Sequence, residues 1–227
     1  MTNSARESIL ESIRSHLAAS VPYDQRELAL EHVNPVILSD TPCKSVSIVD
    51  SFKQNLEAVD GHCVIANGEI EIAEALTQII RRLQQTNVRA QRIAISDVPS
   101  LERLMHLTDL DIEELAVAPN AAAIFGFDVG ISTAQAAIAE TGTLVLEATS
   151  ERHRLISLVP PVHIAILDAS RIFETLGEAL AFLRKDEAVS PAVAFVTGPS
   201  RTGDIELILA IGVHGPQELH VIINGLT

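Results

Sequence analysis

Apolar residues recur at helical intervals from the start of the chain. Ile9, Leu10, Ile13 and Leu17 follow Ser4 and Glu7, a pair at capping-box spacing, and together they predict a helix over 4–19. Residues 20–45 show no period and carry Pro22, Pro35 and Pro42, so they read as a long connection. From 46 onward, short apolar runs alternate with amphipathic stretches. The pattern predicts a helix over 46–58, a strand over 62–66, a helix over 70–83, a strand over 91–96, a short helix over 101–106 and a strand over 115–118. The unbroken apolar runs at 144–146 and 163–167 read as neighbouring buried strands. A helix over 171–183, a strand over 192–196, a strand-like run over 205–211 and a last strand over 219–223 complete the chain. Strands and helices alternating at this spacing build βαβ units. The expected architecture is therefore a three-layer α/β domain over 46–227 around a mainly parallel sheet, preceded by a helical extension and connection over 1–45.

Composition narrows the function classes. The chain has 227 residues, 47% of them hydrophobic, enough for one large core. Six Phe, one Tyr and no Trp leave little surface for stacking bases, and a formal charge of -14 repels phosphate backbones and anionic membranes, so nucleic acid and membrane insertion are excluded as expectations. The two cysteines, Cys43 and Cys63, lack any ligand spacing. They point to a reducing compartment and leave this chain unable to hold an iron–sulfur cluster by itself. Eight histidines without an H-E-x-x-H pair predict no metal. Arg6, Glu7 and Glu11 stand where a signal peptide would be uncharged, and no apolar run is long enough to span a bilayer, which gives a cytoplasmic reading.

The candidate chemistry gathers in three loops. Glu140-Thr141-Gly142-Thr143 places a carboxylate, two hydroxyls and a flexible turn at the mouth of the 144–146 strand. Glu140 suits a nucleophile or base, and equally an acceptor that holds its own turn rigid. Arg154 precedes Pro160-Pro161, which keeps helix away from the 163–167 strand. Gly198, Ser200, Arg201 and Thr202 follow the 192–196 strand and suit a carboxylate or phosphate, the alternative being a turn in which Asp204 pairs with Arg201. His214 lies in a Gly-Val-His-Gly-Pro turn, free to touch a ligand, whereas His163 at a strand start reads as a satisfied core histidine. Nucleotide signatures fail: there is no G-x-G-x-x-G, Asp204-Ile205 replaces the Lys and Ser/Thr of a P-loop, and Ser200 lacks the second glycine of a nucleophile elbow. The expectation is that the three loops converge on one pocket for a small anion.

Taken together, Ala139-Glu140-Thr141-Gly142-Thr143, Leu158-Val159-Pro160-Pro161-Val162-His163-Ile164, Thr197-Gly198-Pro199-Ser200-Arg201-Thr202 with Asp204-Ile205-Glu206, and Gly212-Val213-His214-Gly215-Pro216 resemble the LUD-domain family over roughly 46–223. The resemblance implies a fold like that of the NagB/RpiA/CoA-transferase superfamily. It also implies a part in bacterial oxidation of L-lactate to pyruvate, alongside partner proteins that carry iron–sulfur clusters. The chain departs from the family at Gly203, where alanine is more usual, and in the charged residues Glu147, Glu151 and His153. The leading expectation is an accessory or substrate-binding subunit that takes a lactate-like carboxylate or a phosphate. The alternatives are a free-standing acyl- or CoA-transferase-like enzyme using Glu140 and a metabolite-sensing module.

Overall fold

The computed structural model describes residues 47–86, 88–148, 151–183, 192–203, 209–211 and 215–225, with 7, 10–12, 14 and 15 near the start. The chain divides into two units, Met1–Lys44 and Ser45–Thr227. In the first, the described residues are helical.

The second unit opens with helix α1 (Ile48–Glu57), capped by the Ser47 hydroxyl, which accepts from the Asp50 N–H at 3.2 Å. Phe52 and Leu56 point from α1 into the core and are fully buried, each contributing roughly 1.5–3 kcal/mol of transfer free energy. A turn through Asp60, at φ 63°, leads into β1 (His62–Ala66). Helix α2 (Gly68–Gln84) buries Ile72, Leu76, Ile79, Ile80 and Leu83 at the intervals of one helical face. Its acidic residues Glu69 and Glu71 lie in the first turn and Arg81 and Arg82 in the last, matching the helix dipole. Strand β2 (Arg92–Ile95), helix α3 (Pro99–Leu107, with proline in its first turn) and β3 (Glu114–Val117) follow.

Next come β4 (Val129–Thr133), β5 (Ala136–Ile138), β6 (Thr143–Glu147), helix α4 (Glu151–Leu158) and β7 (Val162–Asp168). The chain ends through β8 (Ile172–Phe173), helix α5 (Leu176–Leu183), β9 (Val193–Val196), β10 (Arg201–Gly203), β11 (Leu209–Ile211) and β12 (Glu218–Asn224).

Six strands form one sheet in the order β1-β12-β7-β4-β2-β3, and every neighbouring pair is parallel. One face packs on α2 and α3 through Ile93, Ile131, Ile164 and Ile222. The other packs on α1 and on a second sheet, ordered β8-β5-β6-β9, through Cys63, Ala165, Leu167, Leu219 and Val221. Helix α4 covers the same face farther along, where Ile156 meets Ala94, Ile124 and Phe127. This is the three-layer α/β arrangement read from the alternation of apolar runs. Among the described residues, no helix is long and apolar enough to cross a membrane.

Three local expectations are corrected. The runs at 144–146 and 163–167 are not neighbours: β6 pairs with β5 and β9 in the second sheet, while β7 lies between β4 and β12 in the first. Residues around Arg154 form α4 rather than an open loop, because Pro160 and Pro161 lie beyond its last turn and end the helix instead of preventing it. The 171–183 segment is not one helix. Asp168 accepts from the Ser170 N–H at 2.9 Å and turns the chain, Ile172 and Phe173 then pair with β5, and helix resumes only at Leu176. Most of the strand-like 205–211 run, and the 20–45 connection, lie outside the described residues.

On the buried side of β1, burial pushes the Cys63 thiol up to about 12, with Lys53 lowering it less. With Cys43 replaced by serine, iodoacetamide at mildly alkaline pH should label Cys63 about a thousandfold more slowly in the native protein than in urea, read by mass spectrometry.

Candidate functional site

The C-terminal end of α1 is the meeting point of two of the expected loops. Asn55 donates from Nδ2 to the Ala139 carbonyl at 2.7 Å, tying the helix to the 139–143 turn. Gly142 has φ 62° and lies so close to α1 that a Cβ there would stand 2.3 Å from Leu56 N. Only glycine meets both demands without strain. A run of hydroxyls then links the loops: Thr141 Oγ1 to Thr143 Oγ1 at 2.7 Å, and Thr143 Oγ1 to Thr197 Oγ1 at 2.7 Å. From the other side Gly198, at φ 88°, presses on the same helix end, where a Cβ would lie 2.6 Å from the Val59 carbonyl oxygen. Arg201 Nη2 donates to Asp60 Oδ2 in the turn between α1 and β1.

Beside this joint opens a cleft of about 420 Å³, lined by Glu57, Asp60, His62, Pro199, Arg201 and Glu218. Its walls carry three carboxylates against one guanidinium, so its charge is acidic even though Arg201 and Asp60 offset each other. His62 and Glu218 begin β1 and β12, so the cleft opens at the N-terminal edge of the parallel sheet.

The remaining sequence candidates fall elsewhere. Glu140 is exposed and accepts from the Leu176 N–H at 3.2 Å, a carboxylate at the first turn of α5 rather than in the 141–143 turn. Arg154 lines a separate cavity of about 60 Å³ with Leu146, Glu147, Ser157 and Val193, at the opposite end of β6 from Thr143. Ser200 donates its N–H to the Pro216 carbonyl at 2.8 Å, and Thr202 pairs with Ala210 in the β10–β11 hairpin. His163 is fully buried, its Nε2 2.9 Å from Ser132 Oγ. His214 and Asp204 lie outside the described residues. Thr141, Gly142, Thr143, Gly198 and Arg201 thus gather about α1, while Glu140 and Arg154 are engaged at other places.

Sequence reasoning missed His62, Glu218 and His220. His220 is buried, its ring stacks on His62 with centroids 4.7 Å apart, and its Nε2 lies 3.2 Å from Glu218 Oε2. Burial lowers the His220 pKa from 6.5 to about 4. The hydrogen bond that the His220 ring N–H donates to the Glu218 carboxylate opposes this, and the charges of His62 and Arg82 add to the lowering. Two-residue spacing on one strand could have flagged Glu218 and His220 together. Their meeting with His62 depends on strand order.

Two outcomes follow from this geometry. Gly142→Ala should destabilise the fold by about 3 kcal/mol in urea titration, because φ and space both exclude a side chain. Gly177→Ala, whose Cβ would meet nothing nearer than 3.9 Å, should not. For His220 the unfolded chain binds a proton between the two pKa values while the native state does not, so stability is complete above the higher value and falls on acidification. Going from about pH 7 to about pH 4.5 should remove about 2 kcal/mol, and His220→Gln should flatten that slope.

Comparison with known proteins places these elements in a family. The LUD domain profile matches residues 49–224. Lactate utilization protein C of Exiguobacterium sp. is 44% identical over 105 residues, 44% of this chain and 45% of that protein. Lactate utilization protein C of Bacillus subtilis is 36% identical over 100 residues, 42% of each chain. An uncharacterized protein of Neisseria meningitidis is 43% identical over 96 residues, 42% of this chain and 41% of that one. The matches therefore span less than half the length of these relatives. A solved structure of a DUF162 family protein from Deinococcus radiodurans superposes with a TM-score of 0.56 at 22% identity, covering 81% of this chain and 100% of that one, a likeness of fold. With the profile spanning nearly the whole of the second unit, from α1 to the last residue of β12, the chain belongs to the LUD domain family.

Proposed function

We propose that this chain is an accessory or substrate-binding subunit of an L-lactate utilisation system. The observation that carries the reading is the 44% identity to a protein named lactate utilization protein C, over a stretch of 105 residues. Oxidation of L-lactate to pyruvate releases two electrons and two protons, and the electrons need an acceptor. Two cysteines in the whole sequence, one of them a buried thiol held protonated, are too few for the four thiolates of a cluster. Electron transfer in this reading belongs to iron–sulfur partner proteins.

The part left to this chain is to hold a small carboxylate or phosphate. Arg201 is the cation best placed for it, since it borders the cleft and its present partner, Asp60, is an exposed side chain that an anionic ligand can displace. The Thr141, Thr143 and Thr197 hydroxyls hold the Arg201 loop against the 139–143 turn. Glu140 accepts from the Leu176 N–H at the start of α5 and in this reading serves the fold.

In a bacterium carrying this chain, its deletion should abolish growth on L-lactate and leave growth on pyruvate unchanged. Arg201→Ala, supplied in trans, should restore growth at a rate reduced several-fold. Full growth of the deletion strain on L-lactate would overturn the reading.

A further inference from the structure

We infer that His62, Glu218 and His220 form a binding site for a borderline divalent cation of the zinc type. His62 and His220 are register partners on the parallel strands β1 and β12, so their side chains leave the same face of the sheet side by side. Glu218 lies two residues before His220 on β12 and shares that face. One ligand atom from each of the three lies within 4.8 Å of the others.

The Glu218 Oε2 to His220 Nε2 separation of 3.2 Å is already close to the edge of a tetrahedron around an ion held at about 2.0–2.1 Å, roughly 3.3 Å. Only the His62 ring, exposed at the rim, has to rotate inward. Its nitrogens make no hydrogen bond among the described residues, so there the movement gives up only the stack on His220.

The donor set selects the ion. Two imidazole nitrogens and one carboxylate oxygen suit Zn²⁺, Co²⁺ or Ni²⁺ better than Mg²⁺ or Ca²⁺, which prefer oxygen. Charge agrees: Glu57, Asp60 and Glu218 outnumber Arg201 around the cleft, while the charge of Arg82, felt at His220, opposes the ion. With three protein ligands, the remaining coordination position faces the cleft that His62 and Glu218 line, as in zinc sites that keep an open position. The expectation from sequence was no metal, since no helical pair of histidines exists. Here the ligands are assembled by strand register instead. The inference is independent of the lactate reading and stands or falls on binding alone.

The test uses the untagged full chain, stripped with chelator and dialysed. Calorimetry with Zn²⁺ should show one ion per chain, and Co²⁺ should give the visible d–d bands of a four- or five-coordinate site. Glu218→Gln, at a half-buried position, and His62→Ala, at an exposed one, should each weaken Zn²⁺ binding about a hundredfold or more and abolish the Co²⁺ bands. Absence of stoichiometric binding overturns the inference, as does Zn²⁺ binding of equal affinity in the parent and both variants.

Discussion

The parallel pairing of β12 with β1 on one side and β7 on the other is the constraint on which the rest of this domain rests. Leu219, Val221 and Ile223 face α1 and the second sheet, and Ile222 faces α2, so β12 is buried on both faces and belongs to both core layers. That double burial explains the apolar composition of the strand, in which His220 is a buried polar residue near the start. The ends are where the chemistry lies. Glu218 opens the cleft, and Asn224 accepts from the Gly68 N–H at 3.1 Å to fix the start of α2.

Electrostatics follow the same division between centre and rim. Arg81 with Asp109, Arg103 with Glu69 and Arg92 with Glu114 are exposed pairs, each contributing at most about 1 kcal/mol. The groups whose titration is shifted strongly, Cys63 and His220, face opposite sides of the sheet near the start of β1 and β12, and burial is the largest cause for both. Stability and site properties are therefore coupled through two adjacent strands.

Much of this fold could be read from the sequence, because local pattern encodes local structure. The amphipathic period of α2 and the apolar runs of β7 and β12 identify these elements, and the glycines at 142 and 198 mark turns that the structure uses for close approach to α1. Strand order was not legible. Nothing near 144–146 shows that this run joins a second sheet, and nothing near 219–223 shows that this strand lies inside the first, because partner choice is decided by non-local burial. The candidate site suffered for the same reason. Arg201 and the Thr141–Gly142–Thr143 turn are visible as loop residues, whereas His62 and His220 have no loop signature and gain their meaning only from neighbours distant in the chain. Arg154 and Glu140 stand beside loops in the sequence, and in the structure Arg154 lies on α4 while Glu140 accepts from the first turn of α5.

The position of β12 also bears on how the protein is made. It follows every other described element in the chain, yet it separates β1 from β7. During synthesis the edge strand β1 has no place in the sheet until β12 emerges from the ribosome. Until then, the flanks of β1 and β7 are unpaired backbone beside apolar side chains, the kind of surface that invites wrong association. A nascent chain of this topology keeps those flanks open until nearly all of the domain has been translated.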